Sequence, residues 1–353
     1  MTMTKVPASV SSPVLPRRQF LQALGTGALG LALAVRGAKA QSDAAAQPVP
    51  RQKPRELKGL FPIAGSPFTP DDKLDLDSLA AQITFCNRGG VHGLMWPQLA
   101  SNWAALREDE RMAGAEALIS TAKGGNAAVV IGVQGKDMAE VGRYAAHAAK
   151  NGADAIISLP PAKVTDEKAL LAYYQQVGAL TDLPLFAQAT GTMSIDLLVE
   201  MTKTIPTMKH VKDEAGIPQD RVRELRRRTN DELVVFSGQG VKTMITEMER
   251  GVLGHCPYPS VADIYAQAYD LWHADRRQEA FVMFGHILAF DSLGMADQNR
   301  IMIARGVFKE DTRFRKNISM SAAAAGPVTR GIKLDDAGVR AALDTYLKPY
   351  LRA

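Results

Sequence analysis

The chain has 353 residues, enough for one large barrel with extra helices or for two ordinary domains, and composition does not choose between them. Its formal charge of +5 comes from the start of the chain, where Lys5, Arg17, Arg18, Arg36 and Lys39 precede residue 41 without any Asp or Glu. Without these five, 37 basic residues face 37 acidic ones, so the rest is neutral and nucleic-acid binding loses its electrostatic basis.

Arg17-Arg18 is followed by the apolar run Ala23 to Val35 and then by Ala38-Lys39-Ala40, with small residues two apart. This basic, apolar, A-x-A order predicts a leader over residues 1–40, cleaved before Gln41. The competing reading is a membrane anchor, but the apolar run rises only about 20 Å as a helix, short of the roughly 30 Å of hydrocarbon. Paired arginines, with Arg36 and Lys39 near the cleavage site, point to the twin-arginine machinery as a partner and to a periplasmic destination. Residues 41–56, rich in Ala, Gln and Pro, read as a linker with no core-forming pattern.

Apolar runs of strand length then recur, each followed by a helical pattern: Leu60 to Phe68, Gly93 to Pro97, Ala128 to Val133, Ala155 to Leu159, Leu185 to Ala189, Met208 to Val211, Leu233 to Phe236 and Val252 to Cys256. Near-continuous apolar strands suit a parallel sheet covered on both faces. Leu76, Leu79, Ile83 and Cys86 fall at helical spacing behind Asp75, a candidate N-cap, and the run stops at Gly89-Gly90. Asp137 leads a second stripe, Met138, Val141, Ala145 and Ala148, ending at Asn151-Gly152. Eight such repeats predict a (β/α)8 barrel over 57–273, with a helical region over 274–353 that includes Gln278 to Leu293 and Asp335 to Leu347. Cys86 on an outer helix and Cys256 at a strand end read as two separate buried thiols, and no Cys/His spacing suggests zinc.

A barrel places its chemistry at the carboxyl ends of the strands. Those ends carry Ser66, Gln98, Gln134, Gln188, Gln239 and Cys256, and in His210-Val211-Lys212-Asp213-Glu214 they carry a lysine. Period-two alternation puts His210, Lys212 and Glu214 on one face. A lysine turned into a barrel mouth loses hydration, which lowers its pKa and frees a nucleophilic amine. Arg226-Arg227-Arg228 reads as a solvated helix face, and Trp96 and Trp103 either line a pocket or pack beneath a loop.

From Leu57 onward the chain resembles the dihydrodipicolinate synthase and N-acetylneuraminate lyase superfamily of class I aldolases. The resemblance rests on Gly59-Leu60-Phe61-Pro62 with Ser66-Pro67-Phe68-Thr69, Gly90-Val91-His92-Gly93-Leu94, Asn151-Gly152-Ala153-Asp154-Ala155, Val211-Lys212-Asp213, Ser237-Gly238-Gln239 and Gly251-Val252-Leu253-Gly254. It implies a Schiff base on Lys212, no cofactor or metal, a small carbonyl substrate, and a homodimer or homotetramer. The departures are specific. The family's Gly-Thr-Thr-Gly-Glu segment, which holds a 2-oxo acid carboxylate, falls on Gln98-Leu99-Ala100-Ser101-Asn102. Its fifth-strand tyrosine falls on Gln188, and its Pro-Tyr-Tyr-Asn segment on Pro160-Pro161-Ala162-Lys163.

The expected function is therefore a lyase that makes or breaks a carbon–carbon bond through Lys212, without the family's usual handling of pyruvate. An imine-dependent hydratase or dehydratase and a non-catalytic binding barrel are the alternatives. His210 either tunes Lys212 as its proton partner or is a core histidine. Ser66, Gln98, Asn102, Gln134, Gln188, Gln239 and Cys256 are the expected substrate-binding groups.

Overall fold

A computed structural model of the chain describes residues 55–239, 241–293, 297–319 and 334–352. The expected leader, and all of the linker but its last two residues, lie outside them.

Eight strands run parallel in one sheet: β1 (Gly59–Leu60), β2 (Gly93–Trp96), β3 (Ala128–Gly132), β4 (Ala155–Ser158), β5 (Leu185–Ala189), β6 (Met208–Asp213), β7 (Val234–Ser237) and β8 (Gly254–His255). Consecutive strands from β2 to β8 are neighbours, and β1 pairs with β8. The remaining gap closes through a parallel bridge between Ile63 and Met95, where the Met95 amide donates to the Pro62 carbonyl at 2.9 Å. The first strand is thus shorter than the apolar run suggests. Pro62 has no amide to give, and beyond it the chain turns into the loop that ends at Asp75.

Between the strands lie α1 (Leu76–Gly89), α2 (Glu108–Ala122), α3 (Met138–Asn151), α4 (Glu167–Gly178), α5 (Ile195–Thr204), α6 (Pro218–Arg228) and α7 (Met244–Glu249), with α8 (Ala262–His273) after β8. Asp75 and Asp137 accept from the third amide of their helices, and Gly90 and Gly152 end those helices in the left-handed conformation, as the sequence pattern predicts. Further on come α9 (Arg277–Ser292), α10 (Gln298–Ala304) and α11 (Asp336–Ala342), the last continuing into a π turn and a 3-10 turn up to Tyr350. The seven-residue α10 has no expectation behind it; too short for a clear apolar period, it is held by packing Ile301 and Met302 into the core.

Two apolar layers hold the fold. The larger lies between strands and helices; the smaller fills the barrel with Phe61, Ile63, Met95, Val130, Ile157, Phe186, Phe236 and Cys256 among others. Phe236 meets Phe61 and Phe186 edge to face at 5.2 and 5.1 Å. Glycine makes room for these rings: a Cβ on Gly93 would lie 2.3 Å from Phe61, and one on Gly254 would lie 2.2 Å from Phe236. The barrel is therefore plugged below its mouth by aromatic rings, and a small molecule reaches it only from the carboxyl ends of the strands.

Candidate active site

Residues 210, 212 and 214 occupy one face of β6 and its extension, as alternation requires. Lys212 is buried, with 4 % of its surface exposed, and its Nζ lies 2.6 Å from Glu214 Oε1. Glu214 is placed by its amide, which continues the β5–β6 ladder by donating to the Ala189 carbonyl at 2.8 Å. Gly238 across the sheet leaves the space its side chain occupies, since a Cβ there would meet Glu214 Oε1 at 2.3 Å. On the opposite face of β6, Asp213 is locked by Arg221, whose Nε donates at 2.8 Å while its Nη2 holds the Met193 carbonyl at 3.0 Å. The strand end that carries the lysine is thus rigidly held.

Gln188 is the lateral partner of Lys212 in the β5–β6 register, and its Nε2 donates to Glu214 Oε2 at 3.0 Å. Both carboxylate oxygens of Glu214 are thereby engaged, one by the lysine and one by the amide. From sequence, Glu214 falls on the right face and would oppose a lowered lysine pKa if ionised and close, but it gains no proton-transfer role, because the 2.6 Å approach depends on the extension of the strand beyond Asp213 and on the space over Gly238.

The charge balance at Lys212 departs from the expectation of a lowered pKa. Burial, the largest influence, pulls its pKa down, but the charge of Glu214, with Cys256, the Glu214 hydrogen bond and Tyr258 behind it, offsets burial, and the ammonium is held above its usual 10.5. Ionised Cys256 would add to this effect, but burial pushes that thiol up to about 12, so at neutral pH Glu214 is the counter-charge.

His210 requires a correction. It faces the barrel interior, but its ring is stacked on Phe186 at 4.2 Å and lies 6.3 Å from Phe236. Burial drives its pKa down to about 3, so it is a neutral core histidine and supplies no positive charge to lower that of Lys212. Two residues of strand place it about 6.6 Å deeper than the lysine.

Several expected substrate-binding groups are occupied within the protein. Ser66 Oγ donates to the Ser101 carbonyl at 2.6 Å and accepts from Trp96 Nε1, so Trp96 packs beneath the loop and does not line a pocket. Ser101 Oγ donates to the Ala64 carbonyl at 2.6 Å and accepts from the Gln98 amide. Asn102 binds the chain at 315–319, donating to the Lys316 carbonyl at 3.0 Å and accepting from the Ile318 amide at 2.8 Å. Gln239 Nε2 donates to the Gly216 carbonyl at 2.7 Å and fastens a neighbouring loop.

Gln98 and Gln134 remain at the mouth. Both donate to the Pro97 carbonyl, at 3.0 and 2.8 Å, and Gln98 Nε2 also reaches Gln134 Oε1 at 3.3 Å. Gln98 lies over the inner face of Gly132, where a Cβ would meet the Pro97 oxygen at 1.9 Å. The neighbouring Arg111 is an unforeseen buried cation; it holds the Gln134 and Gly132 carbonyls at 2.7 and 2.8 Å and stacks over Tyr144. Cys256 faces the interior beside Met95, its sulfur 4.0 Å from the thioether. Both cysteines are free and buried, as expected.

A cavity of about 200 Å³ opens on the β1 and β8 side of the mouth, among Ile63, Gly65, Ala100, Tyr258, Asn299 and Phe308. Lys212 does not line it. Tyr258, 48 % exposed, stands on the wall of this cavity.

A barrel with a lysine–carboxylate pair in its mouth defines, with the relatives it has, an aldolase-type lyase. The chain matches the model of the dihydrodipicolinate synthetase family over residues 56–305 and belongs to that family. It is 26% identical over 205 residues to the 4-hydroxy-tetrahydrodipicolinate synthase of Methanosarcina mazei, covering 56% of this chain and 69% of that one. Among solved structures, the dihydrodipicolinate synthase of Rhodopseudomonas palustris superposes with a TM-score of 0.68 at 21% identity, over 85% of this chain and 99% of its own. The N-acetylneuraminate lyase of Mycoplasma synoviae gives 0.67 at 15%, over 83% and 98%. At these identities the solved structures carry the fold alone.

Proposed function

We propose that this protein is a carbon–carbon lyase that works through an imine on Lys212, with Glu214 as the group that moves the protons. The observation that carries this reading is the 2.6 Å pair between the buried Lys212 Nζ and the half-buried Glu214 Oε1 at the mouth of a family barrel.

Nucleophilic attack requires the neutral amine, and the carboxylate paired with the ammonium, Glu214, is the acceptor beside it. Transfer to Glu214 leaves a free amine beside a carboxylic acid. The amine adds to the substrate carbonyl to give a carbinolamine, and the acid returns its proton to the departing hydroxyl, which leaves as water. In the iminium so formed, the carboxylate again faces a positive nitrogen. It then takes the proton from the substrate's β-hydroxyl while the adjacent carbon–carbon bond breaks, releasing an aldehyde and placing the electron pair in an enamine. Protonation of the enamine carbon and hydrolysis of the imine complete the cycle. Gln188 orients Glu214 through its 3.0 Å hydrogen bond and takes the strand position of the family's tyrosine, which is absent here.

The test is borohydride reduction in the presence of carbonyl compounds, read by intact mass and peptide mapping. An adduct on Lys212, lost in Lys212→Ala, is expected; an adduct that survives this substitution and maps to another lysine overturns the mechanism.

A further inference from the structure

In the barrel mouth, two amide groups have an atom with no partner. Gln188 and Gln98 are fully buried, and the Oε1 of each lacks a hydrogen bond among the described residues. The oxygen assignment is set by chemistry, because Gln188 must present its NH2 to the carboxylate of Glu214, and Gln98 must present its own to the Pro97 carbonyl. What remains on both is an acceptor. A buried, unpaired acceptor loses stability until a donor reaches it; both N–H groups of Gln98 are engaged, by the Pro97 carbonyl and Gln134 Oε1, and Gln188 gives one of its two to Glu214.

The cations near the mouth are already committed. Lys212 is neutralised by Glu214. Arg111 gives its Nη1 and Nη2 to backbone carbonyls and stacks on Tyr144, and its Nε alone is without a hydrogen-bond partner among the described residues. The hydroxyls of Ser66 and Ser101 donate to backbone carbonyls as well. Lys136 and Lys163 are exposed on the loops after β3 and β4, and no Lys or Arg lines the cavity beside Tyr258 among the described residues. The lining includes Gln298, Asn299 and the carboxylate of Asp297. A second carboxylate brought to the imine carbon would stand beside Glu214 without a counter-charge.

We propose that the substrate is a neutral, hydroxyl-bearing carbonyl compound of the sugar or hydroxyketone class, and that Gln188 Oε1 and Gln98 Oε1 accept hydrogen bonds from its hydroxyl groups. This rests on the imine reading above and narrows it. The site selects by donors on the substrate, where a 2-oxo acid site selects by acceptors.

The probes are dihydroxyacetone, acetone and pyruvate, trapped with borohydride on the full-length protein at one pH. Wild-type protein is expected to trap dihydroxyacetone at least about tenfold faster than pyruvate, in line with one buried hydrogen bond gained and none lost. Hydroxyketones are intrinsically more electrophilic than acetone, so the decisive quantity is the dihydroxyacetone-to-acetone ratio. That ratio should fall about tenfold in Gln188→Leu, a change that a general loss of structure would not produce. Gln98→Met provides a second, independent reduction of the same ratio if the first variant fails to fold. Pyruvate trapped on Lys212 as fast as dihydroxyacetone, or an unchanged ratio in folded variants, overturns the substrate class and leaves the imine intact. Absence of any adduct on Lys212 with all three compounds overturns the imine reading, and this proposal with it.

Discussion

Replacing Glu214 by Gln separates its two proposed effects, on the charge of Lys212 and on proton transfer. The two groups are 2.6 Å apart, and at an effective dielectric of about 20 unit charges at that distance attract by roughly 6 kcal/mol. At about 1.4 kcal/mol per pKa unit, this corresponds to about four units. Partial exposure of Glu214, and the hydrogen bond that glutamine keeps, reduce the expected fall to about two units. Lys212 is held above 10.5 in the wild type. In Glu214→Gln, burial is no longer offset by the carboxylate charge and the lysine titrates lower than in the wild type. The pH dependence of dihydroxyacetone trapping should therefore move its midpoint downward by about two units. Its plateau rate should fall by about 10²-fold or more, because the proton carrier is gone. A midpoint within half a unit of wild type, or a plateau that does not fall, would refute the coupling of the two groups.

Three further outcomes follow from particular contacts, and a fourth from the sequence. Gly238→Ala places a methyl group 2.3 Å from Glu214 Oε1 and should slow trapping at least about tenfold, as measured by intact mass, by displacing that carboxylate. Ser101→Ala strands the Ala64 carbonyl and the Gln98 amide and should destabilise the protein by about 1–3 kcal/mol in urea unfolding. The His210 pKa is depressed to about 3, so the unfolded chain takes up a proton as the pH falls through about 6.5 while the folded chain does not. Stability is lost between those values, by about 5 kcal/mol at most, and His210→Phe should flatten that acid limb in pH-dependent unfolding while leaving the trapping midpoint where it was. Arg17→Lys with Arg18→Lys should leave uncleaved precursor in the cytoplasm, as seen by fractionation and N-terminal sequencing; unchanged export would refute the twin-arginine reading.

The fold is legible because barrel strands covered on both faces must be apolar nearly throughout, and because Asp75 and Asp137 announce their helices within three residues. Lys212 is legible for a related reason: a charged residue ending an apolar strand has to face the mouth. Whether a polar side chain at the mouth is available to a ligand depends on distant chain. Asn102 looks like a site residue until the segment at 315–319 takes up its amide, and Ser66 until Ser101 presents its carbonyl. His210 shows a different limit. Alternation gives the face correctly, but depth along the barrel axis decides whether that face meets solvent or aromatic rings.

The altered loop and the chain at 312–319 act as a single part. Arg313 pairs with Phe68 through both backbone bonds, Arg315 bridges Glu110 and Asp72, Asn102 holds residues 316–319, and Ser319 Oγ receives the Ala104 amide. These contacts join positions more than 200 apart in the chain. Reinstating threonines at Leu99 and Ala100 alone would put hydroxyls on a backbone whose position is dictated from the other end of the molecule. Transplanting a carboxylate site into this barrel therefore means exchanging two segments together, and homologues in which only one of them has changed should be poorly folded at this rim.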